Sequence, residues 1–128
     1  MYIPVLPKLS GWMLGIFCLG LPFAVFSDDH LVSSAQSIIR KHCLGCHGAS
    51  RISGLDLRQR ATLLKGGDRG KIIDLQNPTK SLFYEAAAHL NELKMPPGSS
   101  APLPEAELSI LREWIKACLL YTSPSPRD

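Results

Sequence analysis

The chain has 128 residues, a length that allows one small domain. Its formal charge of +3 is too small to indicate a nucleic-acid partner, and no basic cluster stands out. Of its four cysteines only Cys43 and Cys46 lie away from the chain ends, so no disulfide framework beyond a single pair is available.

The first 27 residues have the pattern of an export signal. Lys8 is the only charged residue before Asp28, and residues 11–26 are almost wholly apolar. About sixteen apolar residues fit the core of a signal peptide and are short for a bilayer-spanning helix. We therefore expect cleavage after Ser27 and export to the periplasmic side of the inner membrane. The alternative is an uncleaved anchor, which would be the protein's only membrane contact.

The first helix is predicted over residues 31–42. Its apolar residues recur at spacings of three and four, which places them on one face: Leu31, Ala35, Ile38 and Ile39. Two aspartates at residues 28 and 29 suit the positive N-terminal end of such a helix. The helix leads directly into Cys43.

Residues 43–47, Cys-Leu-Gly-Cys-His, form the attachment signature of a c-type haem. Two cysteines at this spacing can bond both vinyl groups of the porphyrin from one short turn. The histidine that follows can then present its imidazole to the iron. We therefore predict one covalent haem c, attached through Cys43 and Cys46 and coordinated by His47.

Two other chemistries use a Cys-x-x-Cys pair. A dithiol redox centre sits in a βαβ context, and this chain shows little strand patterning. A zinc site needs a second pair of ligands at finger-like spacing, which is missing here. Both alternatives remain weaker than haem attachment.

The middle of the chain predicts loops and short pieces, followed by a second helix. Leu55-Asp56-Leu57 alternates, residues 60–65 predict one helical turn, and residues 66–70 form a glycine-rich turn. Asn77 and Pro78 are typical of a helix start, and Met95-Pro96-Pro97-Gly98 ends that helix. Its predicted buried stripe is Leu82, Phe83, Ala86, Leu90 and Leu93.

Met95 is a candidate for the second axial ligand of the iron. The two prolines that follow it hold it in a stiff loop rather than in a helix stripe. A thioether about fifty residues after the histidine then becomes available to the iron. The other interpretation is that Met95 only fills the core.

The last helix is predicted from Leu103-Pro104-Glu105 onward, with Leu108, Leu111 and Ile115 on one face. We expect Trp114 to pack in the core, against the first helix and the haem edge. Residues 118–128 resemble the translation of a sequencing-library adapter and are predicted to be disordered and not native. The native chain is then expected to continue differently after Ala117.

Taken together, the motifs resemble a known family. They follow the order Cys43-xx-Cys46-His47-Gly48, Gly54-Leu55-Asp56-Leu57, Gly66-Gly67, Pro78-xx-Ser81-Leu82, Met95-Pro96-Pro97, Leu108-xx-Leu111-xx-Trp114-Ile115. This order resembles the planctomycete-type cytochrome c domain, within the wider class I cytochrome c group. The resemblance covers residues 36–117. It implies an all-α, class I cytochrome c-like fold around one covalent haem, with His47 and Met95 as axial ligands. It also implies that the domain often stands at the front of a longer protein.

The leading functional hypothesis is one-electron transfer on the exported side of the membrane, to a redox partner protein or a fused downstream domain. A His/Met ligand pair raises the reduction potential and fills both axial positions. The second hypothesis is a haem enzyme or a gas or peroxide sensor, in which Met95 does not bind and the sixth position is open. His42 and His89 are spare candidates in that case, although surface exposure is expected for both.

Overall fold

The computed structural model describes residues 28–117 and Leu119. These residues contain five helices and no strand, apart from an isolated backbone bridge between Gly67 and Gly70. The helices are α1 (Asp28–His42), α2 (Leu44–His47), α3 (Arg60–Lys65), α4 (Leu82–Ala87) and α5 (Glu105–Lys116), and 3-10 turns span Ile52–Gly54 and Pro78–Lys80. The predicted all-α fold is therefore confirmed. The predicted export signal lies outside the described residues.

Helices α1 and α5 pack against each other and form the frame of the domain. On α1 the buried residues recur at helical spacing and are Val32, Ala35, Ile38 and Ile39. On α5 they are Leu108, Leu111, Trp114 and Ile115. Helix α1 begins three residues earlier than predicted, because Asp28 and Asp29 are part of its first turn, where negative charge is favourable. Within the described residues, no helix is long and apolar enough to cross a bilayer.

The prediction of one continuous helix that starts at Asn77-Pro78 and ends at Met95 is wrong. Pro78–Lys80 is a separate 3-10 turn, because Ser81 adopts an extended backbone with ψ 129° before α4 begins. Asn77 does not cap that turn through its side chain, which donates instead to the Asp74 carboxylate at 3.3 Å. Helix α4 ends at Ala87, and Leu90 is 67% exposed rather than buried.

Helix α4 ends because His89 takes a left-handed backbone conformation with φ 54°. The N–H of Leu90 donates to the carbonyl of Glu85 at 2.9 Å, and the N–H of His89 donates to Ala86 at 3.3 Å. This pair of bonds is a Schellman motif, which usually has glycine at the left-handed position. With histidine there, the sequence carries no ordinary stop signal.

Leu119 departs from the disorder expected for residues 118–128. Its side chain is fully buried in the core, and its N–H donates to the carbonyl of Trp114 at 3.0 Å. The backbone therefore folds back over the end of α5 at this residue. The other residues of that segment lie outside the described part of the chain.

Candidate cofactor site

A cavity of about 230 Å³ lies beside the Cys43–His47 segment. Its walls come from four parts of the chain: the end of α1 with α2, the segment 52–57, the turn 67–72 and the region from α4 to Leu103. Most of the lining side chains are apolar. They include Ile52, Leu55, Leu57, Ile72, Leu82, Phe83, Ala86, Ala87, Leu93, Pro96, Pro97 and Leu103.

The predicted attachment segment forms one tight turn at the end of α1. The N–H of Cys43 donates to Ile39 at 2.8 Å, and the N–H groups of Cys46 and His47 both donate to the carbonyl of Cys43. Gly48 follows, and a β-carbon there would meet the carbonyl oxygen of Leu44 at 2.5 Å. This turn brings Cys43, Cys46 and His47 to the same cavity wall.

The ring of His47 is held in one tautomer. Its Nδ1 lies 3.0 Å from the carbonyl oxygen of Ile52, and because a carbonyl only accepts, Nδ1 carries the proton and donates. The other ring nitrogen, Nε2, therefore keeps a free lone pair. Metal-ligating histidines typically hold their second nitrogen in this way.

The Ile52 carbonyl is presented by a strained turn. Arg51 and Ser53 both have left-handed φ angles, 45° and 56°, on either side of Ile52. The turn is braced from outside by Gly67, where a β-carbon would meet the carbonyl oxygen of Ser53 at 2.5 Å. The N–H of Asp68 donates to that same carbonyl at 2.9 Å. The glycine-rich turn thus supports the partner of His47.

Asp56 separates two lining residues and points away from the cavity. Leu55 and Leu57 line the wall, as expected for alternate residues of an extended piece. The Asp56 carboxylate accepts bonds from the Arg58 backbone N–H at 3.0 Å, from Arg58 Nη2 at 2.8 Å and from Arg51 Nε at 3.3 Å. The hydrogen bonds from Arg58 hold the pKa of Asp56 well below its ordinary value.

Of the two cysteines, Cys43 lacks the reactive thiolate of a redox dithiol. Both are free thiols in the structure. Burial raises the pKa of the Cys43 thiol to about 11, so it stays protonated at neutral pH. Thiol–disulfide exchange depends on an accessible thiolate of lowered pKa, which Cys43 does not offer. Nor do the described residues contain a group of three or more His, Cys, Asp or Glu side chains able to hold a metal ion such as zinc.

Met95 also lines this cavity, although it comes from a distant part of the sequence. Because α4 ends early, the carbonyls of its last turn are free to bind the loop that follows. The N–H of Met95 donates to Ala86 at 3.0 Å, and the N–H of Leu103 donates to Ala87 at 3.1 Å. Met95, Pro96 and Pro97 all line the cavity.

The four residues predicted to hold the haem are therefore brought together around one cavity. Its apolar walls, the two thiols and the free lone pair of His47 fit a covalently attached porphyrin with nitrogen coordination. The structure places no other methionine of the described residues there, since Met95 is the only one between residues 28 and 117.

Three predictions about individual side chains need correction. His42 is half-buried rather than exposed: it lines the cavity, and its Nε2 lies 2.8 Å from Glu107 Oε2 on α5, although the ring N–H is not well aligned with that oxygen. His89 is also half-buried, and its Nε2 is shielded from solvent without a hydrogen-bond partner in the described residues. Trp114 is fully buried in the core, as predicted, but it is not among the lining residues, so the structure does not support the expected contact with the haem edge.

Sequence reasoning also missed Arg69. Arg69 is exposed, but it lines the cavity together with Asp68. The only sequence signal was its place inside a glycine-rich turn, which does not indicate what the turn packs against.

Comparison with known proteins adds one match. Residues 43–99 match a family model described as Planctomycete cytochrome C. No curated protein and no solved structure matches the chain.

Proposed function

We propose that the protein carries single electrons through one haem c, on the premise that residues 43–99 match the planctomycete cytochrome c family. In this proposal Cys43 and Cys46 hold the haem by thioether bonds, and His47 and Met95 are its axial ligands. The family match indicates haem-based electron transfer in general. The ligand set is our own inference from the site.

The observation that carries the proposal is the convergence of Cys43, Cys46, His47 and Met95 on one apolar cavity. Met95 is separated from the other three by about fifty residues, and only the loop bound to the end of α4 brings it back. The hydrogen bond from His47 Nδ1 to Ile52 leaves a nitrogen lone pair available at the same wall. These features support axial coordination by one nitrogen and one sulfur.

When bound, the haem would supply a one-electron Fe(III)/Fe(II) couple. The chain sets the conditions for that couple. The thioether of Met95, as a ligand, would favour the reduced iron and so raise the reduction potential. The apolar side chains from α4 and the 52–57 segment exclude water and lower the local dielectric, which tunes the potential further.

We also propose that the protein works on the periplasmic side, because residues 1–27 have the composition of an export signal. Its partner is a redox protein or a domain that follows in the native chain. These proposals depend on sequence patterns outside the described residues.

The axial role of Met95 is tested by optical spectroscopy of the holo-protein, made in a host that attaches c-type haem. The oxidised wild type is expected to show a weak near-infrared charge-transfer band from sulfur–iron coordination. Met95→Ala should abolish that band while the haem stays attached. Leu90→Ala is the matched control, because Leu90 is exposed in the same loop region and does not line the cavity. A band that persists in Met95→Ala removes Met95 from the site.

Carbon monoxide separates electron transfer from the enzyme or sensor alternative. With both axial positions filled, the reduced wild type should bind carbon monoxide slowly, and Met95→Ala should bind it rapidly. Rapid binding by the wild type at neutral pH favours the open-site alternative instead.

A further inference from the structure

The cavity has one strongly basic residue on its wall. Arg69 is the only Lys or Arg among its lining residues. It lies with Ser53 and Asp68 among the exposed residues that mark the cavity mouth. A haem carries two propionate carboxylates, and apolar walls cannot stabilise a carboxylate charge. A cation at the mouth is therefore the natural counter-charge.

Arg69 also has no ion-pair partner in the described part of the chain. Arg51 and Arg58 both pair with Asp56, and Arg112 pairs with Glu113. The Arg69 guanidinium makes no ion pair and no side-chain hydrogen bond with any residue from 28 to 117 or with Leu119. Its five N–H donors remain available to a carboxylate.

The backbone that carries Arg69 is fixed in place. Gly67 and Gly70 exchange backbone hydrogen bonds across the turn, at 3.2 and 2.8 Å. Gly66 has φ 82° and lies against the backbone of Gly70 so closely that a β-carbon there would collide with its carbonyl oxygen. A long side chain on a fixed turn loses less freedom on binding than one on a mobile loop.

Besides the three predicted haem-binding residues Cys43, Cys46 and His47, two other titratable side chains line the same cavity. The Asp68 carboxylate is packed against Gly54, where a β-carbon would collide with Asp68 Oδ1. The negative charge of Asp68 would repel a haem propionate at the cavity mouth. A cation there is needed to offset that repulsion. His42 faces a carboxylate of the protein itself, because its Nε2 lies 2.8 Å from Glu107 Oε2.

We propose that the Arg69 guanidinium binds a haem propionate at the mouth of the cavity and stabilises its charged form. This inference rests on the proposed function, since it requires an attached haem. It assigns to the glycine-rich turn a direct part in cofactor binding.

The test is a redox titration of the haem-loaded protein over about pH 4 to pH 9, a range that spans the ordinary carboxyl and imidazole titrations. A carboxyl group beside a guanidinium has its pKa lowered by about 1–3 units. In Arg69→Gln the propionate pKa should rise by that amount, and a bend in the curve of potential against pH should move with it. At high pH the Arg69→Gln potential should fall below that of the wild type, because a positive charge that favours the reduced haem is gone.

Two further variants isolate the effect. Arg69→Lys keeps the charge and should restore most of the wild-type curve. Lys71→Gln removes a neighbouring exposed charge that does not line the cavity and should leave the bend unchanged. Infrared difference spectra between the two redox states, with the propionates isotopically labelled, report the carboxyl protonation directly.

The outcomes are distinct from those of the proposed function. If the wild type carries no covalent haem after denaturing extraction, the proposed function fails. If the haem is attached but the Arg69→Gln curve and infrared spectra match those of the wild type, only the role of Arg69 is overturned.

Discussion

Asp56 shows how one buried charge can set the shape of a cavity wall. It is 7% exposed and lies between Leu55 and Leu57, whose side chains face the cavity. Because its carboxylate is held by Arg58 and Arg51 on the opposite side, the two leucines are directed inward. The alternating sequence pattern already indicated the two leucines, whereas the ion pair could be identified only from the folded structure.

Replacing Asp56 with asparagine should lower stability by about 1 kcal/mol, the typical net value of one lost hydrogen bond. Both arginines are largely exposed, so solvent screening limits the loss. The measurement is thermal unfolding of the holo-protein at neutral pH. Glu92→Gln, which removes an exposed carboxylate, is the control and should unfold as the wild type does.

The same residue gives a pH dependence with a definite sign. Hydrogen bonds from Arg58 lower the pKa of Asp56 in the folded state, so the unfolded chain binds a proton first. The stabilisation is therefore fully present above the ordinary Asp pKa of about 3.9 and is lost as the pH falls below it. Between pH 7 and about pH 3 the wild type should lose more stability than Asp56→Asn. Parallel curves for the two proteins contradict this role.

Helix α4 shows how a single backbone conformation positions a distant ligand. If the helix continued to Met95 as predicted, the carbonyls of Ala86 and Ala87 would be hydrogen-bonded within the helix and could not bind the following loop. Because it ends at Ala87, the carbonyls of Ala86 and Ala87 accept the N–H groups of Met95 and Leu103. The early stop is therefore what delivers Met95 to the cavity.

A pair of substitutions at His89 tests this helix end. A residue with a β-carbon loses about 1–2 kcal/mol in the left-handed region, and glycine does not. We expect His89→Gly to be more stable than His89→Ala by about 1 kcal/mol, although both remove the imidazole. Chemical denaturation of the two holo-proteins measures the difference. Ala88→Gly is the control: Ala88 has φ −86°, so glycine should only destabilise there. Equal stability of the two His89 variants would show that the left-handed turn is absent.

At the scale of the whole molecule, the cavity is a large part of a small core. At about 24 cal/mol per Å³ of unfilled void, leaving the cavity of about 230 Å³ empty would cost about 5–6 kcal/mol. Domains of this size have a total stability of about 5–15 kcal/mol. Without a bound group, the packing of α1 on α5 would therefore leave only a small net free energy of unfolding.

The double variant Cys43→Ala/Cys46→Ala, which cannot attach haem, should accordingly lose much of its helical circular dichroism and its cooperative melting. Wild-type chain produced without a maturation system should behave in the same way, which separates loss of the haem from loss of the thiols. A cooperative transition in either sample, at the melting temperature of the holo-protein, would falsify the view that the haem completes the core.

The sequence by itself determined the helical class, the attachment turn and the pair of candidate ligands. These follow from local rules: helical spacing in α1 and α5, a five-residue motif, and two prolines after Met95. Each depends on residues that are close together in the chain, so pattern and spacing are enough to predict it.

Only the tertiary structure decided the end of α4, the places of His42 and Arg69 on the cavity wall, and the tautomer of His47. Each of these depends on a partner from a different segment: the loop bound to the carbonyls of α4, Glu107 on α5, the turn packed on Ser53, and the Ile52 carbonyl. A left-handed histidine carries no sequence signal comparable to glycine. Charged residues that face a cavity look the same in sequence as charged residues that face water, because burial is a property of the packed chain.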